Sequence, residues 1–137
     1  MFLIIFHIVS YDAWFYATHR LSHTTYLWRF HKIHHEKIYP TFLDTNHGHW
    51  SEFIQSVGIL LPLVWYDMHW MSFILACMFT LTRGHMRHDS RTAWLIGNHH
   101  MLHHELKSIN YGEYYLDYLF GTLDTSHHKR INGYIRL

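Results

Sequence analysis

His100-Met101-Leu102-His103-His104 sets histidines at positions i, i+3 and i+4. On an α-helix those positions share one stripe. The segment therefore reads as a helix that aims imidazoles toward a common point. His31-Lys32-Ile33-His34-His35 repeats the spacing. Two further clusters add pairs: His19 and His23 at i, i+4, and His85 and His88 at i, i+3. Neutral imidazole offers a nitrogen lone pair near pH 7 and is the commonest side-chain metal ligand. The ten candidate ligands are His19, His23, His31, His34, His35, His85, His88, His100, His103 and His104. Ten exceed what one ion of four to six ligands needs, so the expectation is two metals in one histidine cage.

The chain has 17 histidines in all. Those left over are expected to be bystanders. His69 falls in an aromatic turn, and His127 and His128 lie in a basic tail segment. His99 is offset from the His100 stripe. His47 and His49, just ahead of the main apolar stretch, are closer to ligand candidates, and His7 stands alone in the first apolar run.

Working outward, the 137 residues bound a single domain, 1–137. A formal net charge of +1 gives no footprint for a nucleic-acid partner. The lone cysteine, Cys77, excludes a disulfide framework and the cysteine-based zinc motifs. Charged residues are 15% of the chain and hydrophobic ones 49%. The charged share falls below the roughly 25% of ordinary soluble domains, which favours a membrane setting. Mean hydropathy is only −0.13. That value is depressed by histidines scored as polar.

Residues 1–17 are mostly apolar and carry neither a basic leader region nor a small-residue cleavage site. They read as the end of a membrane helix, with the chain starting in the middle of that element. Leu21 to Tyr39 reads as interfacial helix, and Pro40 to His49 as a loop. Phe53 to Leu81 is the main apolar stretch, broken at Trp65-Tyr66-Asp67-Met68-His69-Trp70. Tryptophan and tyrosine favour the membrane boundary, so this break predicts the turn of a helical hairpin. Each arm has about a dozen apolar residues, or roughly 18 Å of helix against a hydrocarbon core of ~30 Å. The arms must borrow flanking residues, or the hairpin enters the membrane without crossing it. Either way the second and third clusters emerge on the same side. Arg20, Arg29, Lys32, Lys37, Arg83, Arg87 and Arg91 flank the clusters and predict that the cage faces the cytosol. The expected fold is an all-α integral membrane domain with a membrane hairpin and a cytosol-facing histidine cage.

Thiolate ligands are absent, as are H-E-x-x-H and E-x-x-H signatures. An all-imidazole cage in an apolar domain suits non-haem iron that works with oxygen, and imidazole also suits zinc. Asp12, Glu36, Asp89 and Glu105 are the carboxylates expected to bond the outer ring N–H groups.

Asp12-Ala-Trp-Phe-Tyr16 with His19-Arg20 and His23, and Trp28-Arg-Phe-His31-Lys-Ile-His34-His35-Glu36, resemble the first two histidine boxes of the fatty acid hydroxylase superfamily. That group includes sterol desaturases, sterol methyl oxidases and sphingolipid hydroxylases. His49-Trp-Ser-Glu52-Phe-Ile-Gln-Ser56 is similar to the segment entering its membrane hairpin, and His88-Asp89-Ser90 to its H-D-G element. His100-Met-Leu-His103-His104-Glu105, Asn110-Tyr111-Gly112 and Leu116-Asp117-Tyr118-Leu119-Phe120-Gly121-Thr122 resemble its closing box and tail.

The resemblance implies an integral membrane oxidoreductase with two iron ions, zinc being possible in purified material. It implies that O2 and two electrons hydroxylate or desaturate a membrane lipid, either a sterol or an acyl chain. The electrons would come from cytochrome b5 or an NAD(P)H-linked reductase. It places the protein in the endoplasmic reticulum of a eukaryote or the inner membrane of a bacterium. Members usually carry further membrane helices before the first box, so a chain truncated at its N-terminus is expected. The alternatives are an inactive or non-catalytic metal-binding membrane protein and a zinc-dependent membrane hydrolase.

Overall fold

The computed structural model of the chain describes residues 1–126 and 129–135, and those residues form helices and turns with no strand. Helix α1 spans Phe2–Ser22. Its apolar run contains no proline or glycine, and Arg20 sits in its last turn, where a cation favours the helix dipole. The interfacial helix expected over Leu21 to Tyr39 is broken up. Thr24 turns its hydroxyl onto the carbonyl of Leu21, a local bond that competes with helix continuation. Only the four-residue α2, Trp28–His31, and a 3-10 turn at His34–Glu36 follow. Pro40 then disfavours helical backbone at Tyr39.

The apolar stretch forms two helical arms joined at the expected break, and each packs on α1 more than on the other. Its first arm is α3, Phe53–Ser56, continued by 3-10 helix over Val57–Val64. Pro62 lies inside that arm and supplies no N–H. The second arm is α4, Trp70–Met86, capped by the side chain of His69, which accepts from the backbone N–H of Ser72. Among the described residues no helix is long and apolar enough to cross a membrane. The chain continues through α5 (Ala93–Ile96), α6 (His99–Leu106) and α7 (Tyr114–Leu119).

Helix α1 packs against both arms of the hairpin. His7 Nδ1 bonds Ile59 O at 3.0 Å and Trp14 Nε1 donates to Ile54 O at 2.7 Å. Gly58 lies under Trp14, where an added Cβ would meet the indole at 2.6 Å. Replacing Gly58 with valine forces these elements apart. The expected loss is about 1–3 kcal/mol of stability, read by thermal unfolding in detergent. A buried ion network joins α1 to α4 and to the segment before α7. Arg83 pairs with Asp12 and lies 3.4 Å from Glu113, and Arg87 donates to Glu113 at 2.6 Å. Removing one partner from such a network commonly costs about 3–5 kcal/mol, because the other charge stays buried.

Buried apolar side chains are few among the described residues: Phe15, Tyr16, Ala76, Ala93, Met101, Leu102 and Leu116. The fully buried side chains instead include His19, His31, His103 and His104. Polarity is thus inverted relative to an ordinary globule. Imidazoles fill the interior, while Phe53, Val64, Trp65 and Trp70 are 73%, 76%, 77% and 67% exposed.

Candidate metal centre

Histidine rings collect in two adjoining groups. His19, His23, His31, His35 and His103 form one, and His34, His88, His100 and His104 the other. Within each group the nearest ring nitrogens lie within 4.8 Å of one another. The rings of His35 and His104 connect the two, with centroids 4.6 Å apart.

The triplets do not aim at one point. Neighbouring residues on an α-helix project about 100° apart, so adjacent histidines must diverge. In α6, His100 and His104 face the group of four while His103 faces the group of five. The second cluster divides the same way. His31 and His35 turn to the group of five, and His34, after the break at α2, to the group of four. Each triplet therefore serves both groups, which ties them into one centre.

His85 is the exception among the ten candidates. It belongs to neither group: its Nδ1 donates to Leu81 O at 2.8 Å and its ring lies against Phe42. At i, i+3 on α4 only His88 reaches inward. His7 and His69 make the contacts already described, and His49 caps the turn at Trp50–Glu52. His47 Nε2 meets Glu36, and His99 Nε2 meets Asp117 at 2.9 Å. His127 and His128 lie outside the described residues.

The outer ring nitrogens are held chiefly by the backbone. His34 Nδ1 donates to His47 O at 2.9 Å, His88 Nδ1 to Gly84 O at 2.7 Å, and His104 Nδ1 to Lys37 O at 3.1 Å. In the other group, His103 Nδ1 donates to Ile109 O at 2.6 Å and His19 Nδ1 to Tyr111 O. His31 Nδ1 meets the Glu52 carboxylate at 2.9 Å. The four carboxylates expected in this role are engaged elsewhere. Asp12 binds Arg83 and Tyr115, Glu36 binds His47, Asp89 binds Arg91, and Glu105 binds Lys129. Carbonyl acceptors leave no mark on a sequence, and Glu52 lies on a separate turn, so neither was legible from cluster spacing.

These bonds fix the tautomers. A carbonyl can only accept, so Nδ1 of His34 and of His88 carries the proton and each Nε2 keeps a lone pair. Yet the two Nε2 atoms are 3.3 Å apart. Two lone pairs at that distance have no proton to share and repel. A cation between them resolves the conflict. Nitrogens bound to one metal at about 2.0–2.1 Å lie roughly 2.9–3.4 Å apart for cis angles near 90–110°. The buried Nε2 atoms of His19, His23 and His104 have no protein partner either. The residues present therefore fit two metal ions, held by five and by four imidazoles.

Eight of the nine rings are also held toward the neutral form, as ligation requires. Burial, helped by neighbouring imidazoles, holds His23 and His104 down at about 3, and burial holds His34 at about 4. His19, His35, His88, His100 and His103 are pushed well below the usual histidine range by the same two causes.

Each group has its own approach. A cavity of about 360 Å³ reaches His34 and His88 of the group of four, lined also by Tyr11, Phe15, Phe53 and Leu81. His23 of the group of five borders a separate open hollow with Arg20, Thr24 and Tyr111.

No solved structure matches the chain. The family model for fatty acid hydroxylase matches residues 4–122, a span that holds all nine clustered histidines and the chain beyond α6 as far as Thr122. The chain belongs to the fatty acid hydroxylase family.

Proposed function

We propose that this chain is a di-iron lipid oxygenase that hydroxylates or desaturates an alkyl C–H position of a membrane lipid. The observation that carries the reading is the pair of all-imidazole groups with converging ring nitrogens, one of which opens onto a cavity where Tyr11, Phe15, Phe53 and Leu81 stand among polar side chains. Bound iron would supply oxygen activation. Hydroxylation consumes O2, two electrons and two protons and gives an alcohol and one water. Electrons come from an external donor such as cytochrome b5 or an NAD(P)H-linked reductase.

The chain's own part is placement. Phe15, Phe53 and Leu81 supply apolar lining for an alkyl chain, and His34 and His88 border the same cavity. Backbone carbonyls keep Nδ1 of both rings protonated, so their Nε2 atoms stay available as donors. The apolar outer faces of the hairpin, with Trp65 and Trp70 at its turn, favour seating at a bilayer. Substrate then reaches the cavity from the lipid side, and the histidine centre lies toward the cytosol.

The test is lipid profiling by mass spectrometry of cells with and without the chain, paired with iron-loaded purified protein supplied with reductant and O2. One lipid class gains an oxygen atom or loses two hydrogens, only when iron, reductant and O2 are all present. Turnover by zinc-loaded protein without reductant would overturn the oxygenase reading in favour of a hydrolase. No turnover by protein holding two irons would favour a non-catalytic metal protein.

A further inference from the structure

The loop after α6 supplies the group of five with two of its outer acceptors, Ile109 O for His103 and Tyr111 O for His19. Between them Asn110 is fully buried at a φ of +58°, a left-handed conformation that asparagine tolerates better than most residues. Its N–H donates to Thr122 O at 2.8 Å and its side-chain oxygen accepts from Asp124 N at 2.8 Å. Gly112 then lies against α1, where a Cβ would meet the Tyr16 ring at 2.7 Å, one turn before His19. The two carbonyls are thus held at a set height beneath the metal centre.

One side chain organises this loop. Asp117 on α7 is 0% exposed and takes four donors. Oδ1 accepts from Tyr111 N at 2.8 Å and Thr122 Oγ1 at 2.6 Å. Oδ2 accepts from Gly112 N at 2.8 Å and meets His99 Nε2 at 2.9 Å. An ionised carboxylate offers about four acceptor positions on two oxygens, so Asp117 is saturated. No metal-facing nitrogen touches it. It acts on the backbone whose carbonyls the ligands use.

We propose that Asp117 is a positioning residue for the metal held by His19, His23, His31, His35 and His103. By gripping the amides on either side of the Tyr111 carbonyl, it fixes the aim of His19, and through the same loop that of His103. The effect is one-sided. The group of four takes its carbonyl acceptors from His47, Gly84 and Lys37, which lie on other segments. The inference rests on the two-metal centre and not on lipid oxidation, so Zn²⁺ alone serves as the probe.

Asp117→Asn keeps the volume but exchanges one carboxylate oxygen for an NH2 that faces two donors. In full-length, Zn²⁺-loaded protein challenged with a chromophoric chelator, one of the two zinc ions becomes labile. Its affinity falls about 10–100-fold, the range seen when outer-shell partners of metal ligands are lost. The other zinc ion leaves at the wild-type rate. His19→Ala and His88→Ala assign the labile ion. Asp117→Asn adds little to His19→Ala but, combined with His88→Ala, makes both ions labile.

Gly112→Ala pushes the loop off Tyr16 and labilises the same ion by a separate route. Should Asp117→Asn not fold, Thr122→Val removes a single donor and gives a smaller loss at the same ion. Equal labilisation of both ions would reduce Asp117 to a general structural role, and no labilisation in any of these variants would overturn the proposal. A wild-type protein that binds no Zn²⁺ would remove the centre itself.

Discussion

Stripping both metals with a strong chelator unfolds the interior of this protein instead of leaving an intact apo form. The expected result is loss of near-ultraviolet circular dichroism and of cooperative thermal unfolding in detergent, restored by adding back metal. The reason lies in what fills the centre. Among the described residues only a handful of apolar side chains are buried, while nine imidazoles face one another with ring nitrogens inward. Structural metal binding in small domains contributes about 10–16 kcal/mol. The whole net stability of a domain is about 5–15 kcal/mol. Losing both ions therefore removes more than the whole net stability. A chelated sample that kept its thermal transition within a few degrees would show that the cage stands without cations.

Acid reaches the same end by protonating the ligands. An unfolded histidine titrates near 6.5, while burial holds His34 at about 4 and His104 at about 3 in the folded chain. Above about pH 6.5 both states are neutral, and stability is full. As pH falls below that value the unfolded chain takes up protons that the folded chain refuses. Stability drops by up to ~1.4 kcal/mol per pH unit for each such ring until its folded value is reached. Metal release and unfolding therefore run together between about pH 6 and 4, beginning above the range in which ordinary carboxylates protonate. A midpoint below pH 4 would contradict the neutral cage.

The residues that make this centre were largely legible in the sequence, but its partition was not. Periodicity finds pairs such as His19 with His23 and His100 with His104, because i, i+4 neighbours share a helix face. The same reasoning misjudged the triplets. His103 and His104 share a stripe loosely, yet at ligand distances a 100° divergence separates two ions. His85 failed for a related reason: its spacing to His88 is helical, but α4 buries only one face. The hairpin was visible in the break at Trp65 to Trp70. That its first arm runs on as 3-10 helix through Pro62 was not, since it depends on packing against Trp14 and His7 of α1. Outer-shell contacts were the least legible, because carbonyls of His47, Gly84, Lys37, Ile109 and Tyr111 carry no residue identity.

Single substitutions at the centre separate ligands from the neighbour that spacing alone would include. His104→Ala removes a ring that is 0% exposed and whose Nε2 has no protein partner. The hole cannot be filled by a protein group, because His34, His88 and His100 already point at the same place with neutral nitrogens. The expected result is loss of the ion in the group of four, from two metals per chain to one, by elemental analysis. Activity falls to background, since that group borders the cavity. His103→Ala gives the complementary loss in the group of five, although its ring is only one residue away. His85→Ala keeps both metals, for its nitrogen is spent on Leu81 O and its ring on Phe42. All three changes delete an imidazole from the same small protein, so general damage cannot mimic the contrast. Loss of metal in His85→Ala with retention in His104→Ala would overturn the assignment of the group of four. Simultaneous loss of both ions in either ligand variant would show instead that the groups load as one unit, coupled through the His35 and His104 rings that connect them.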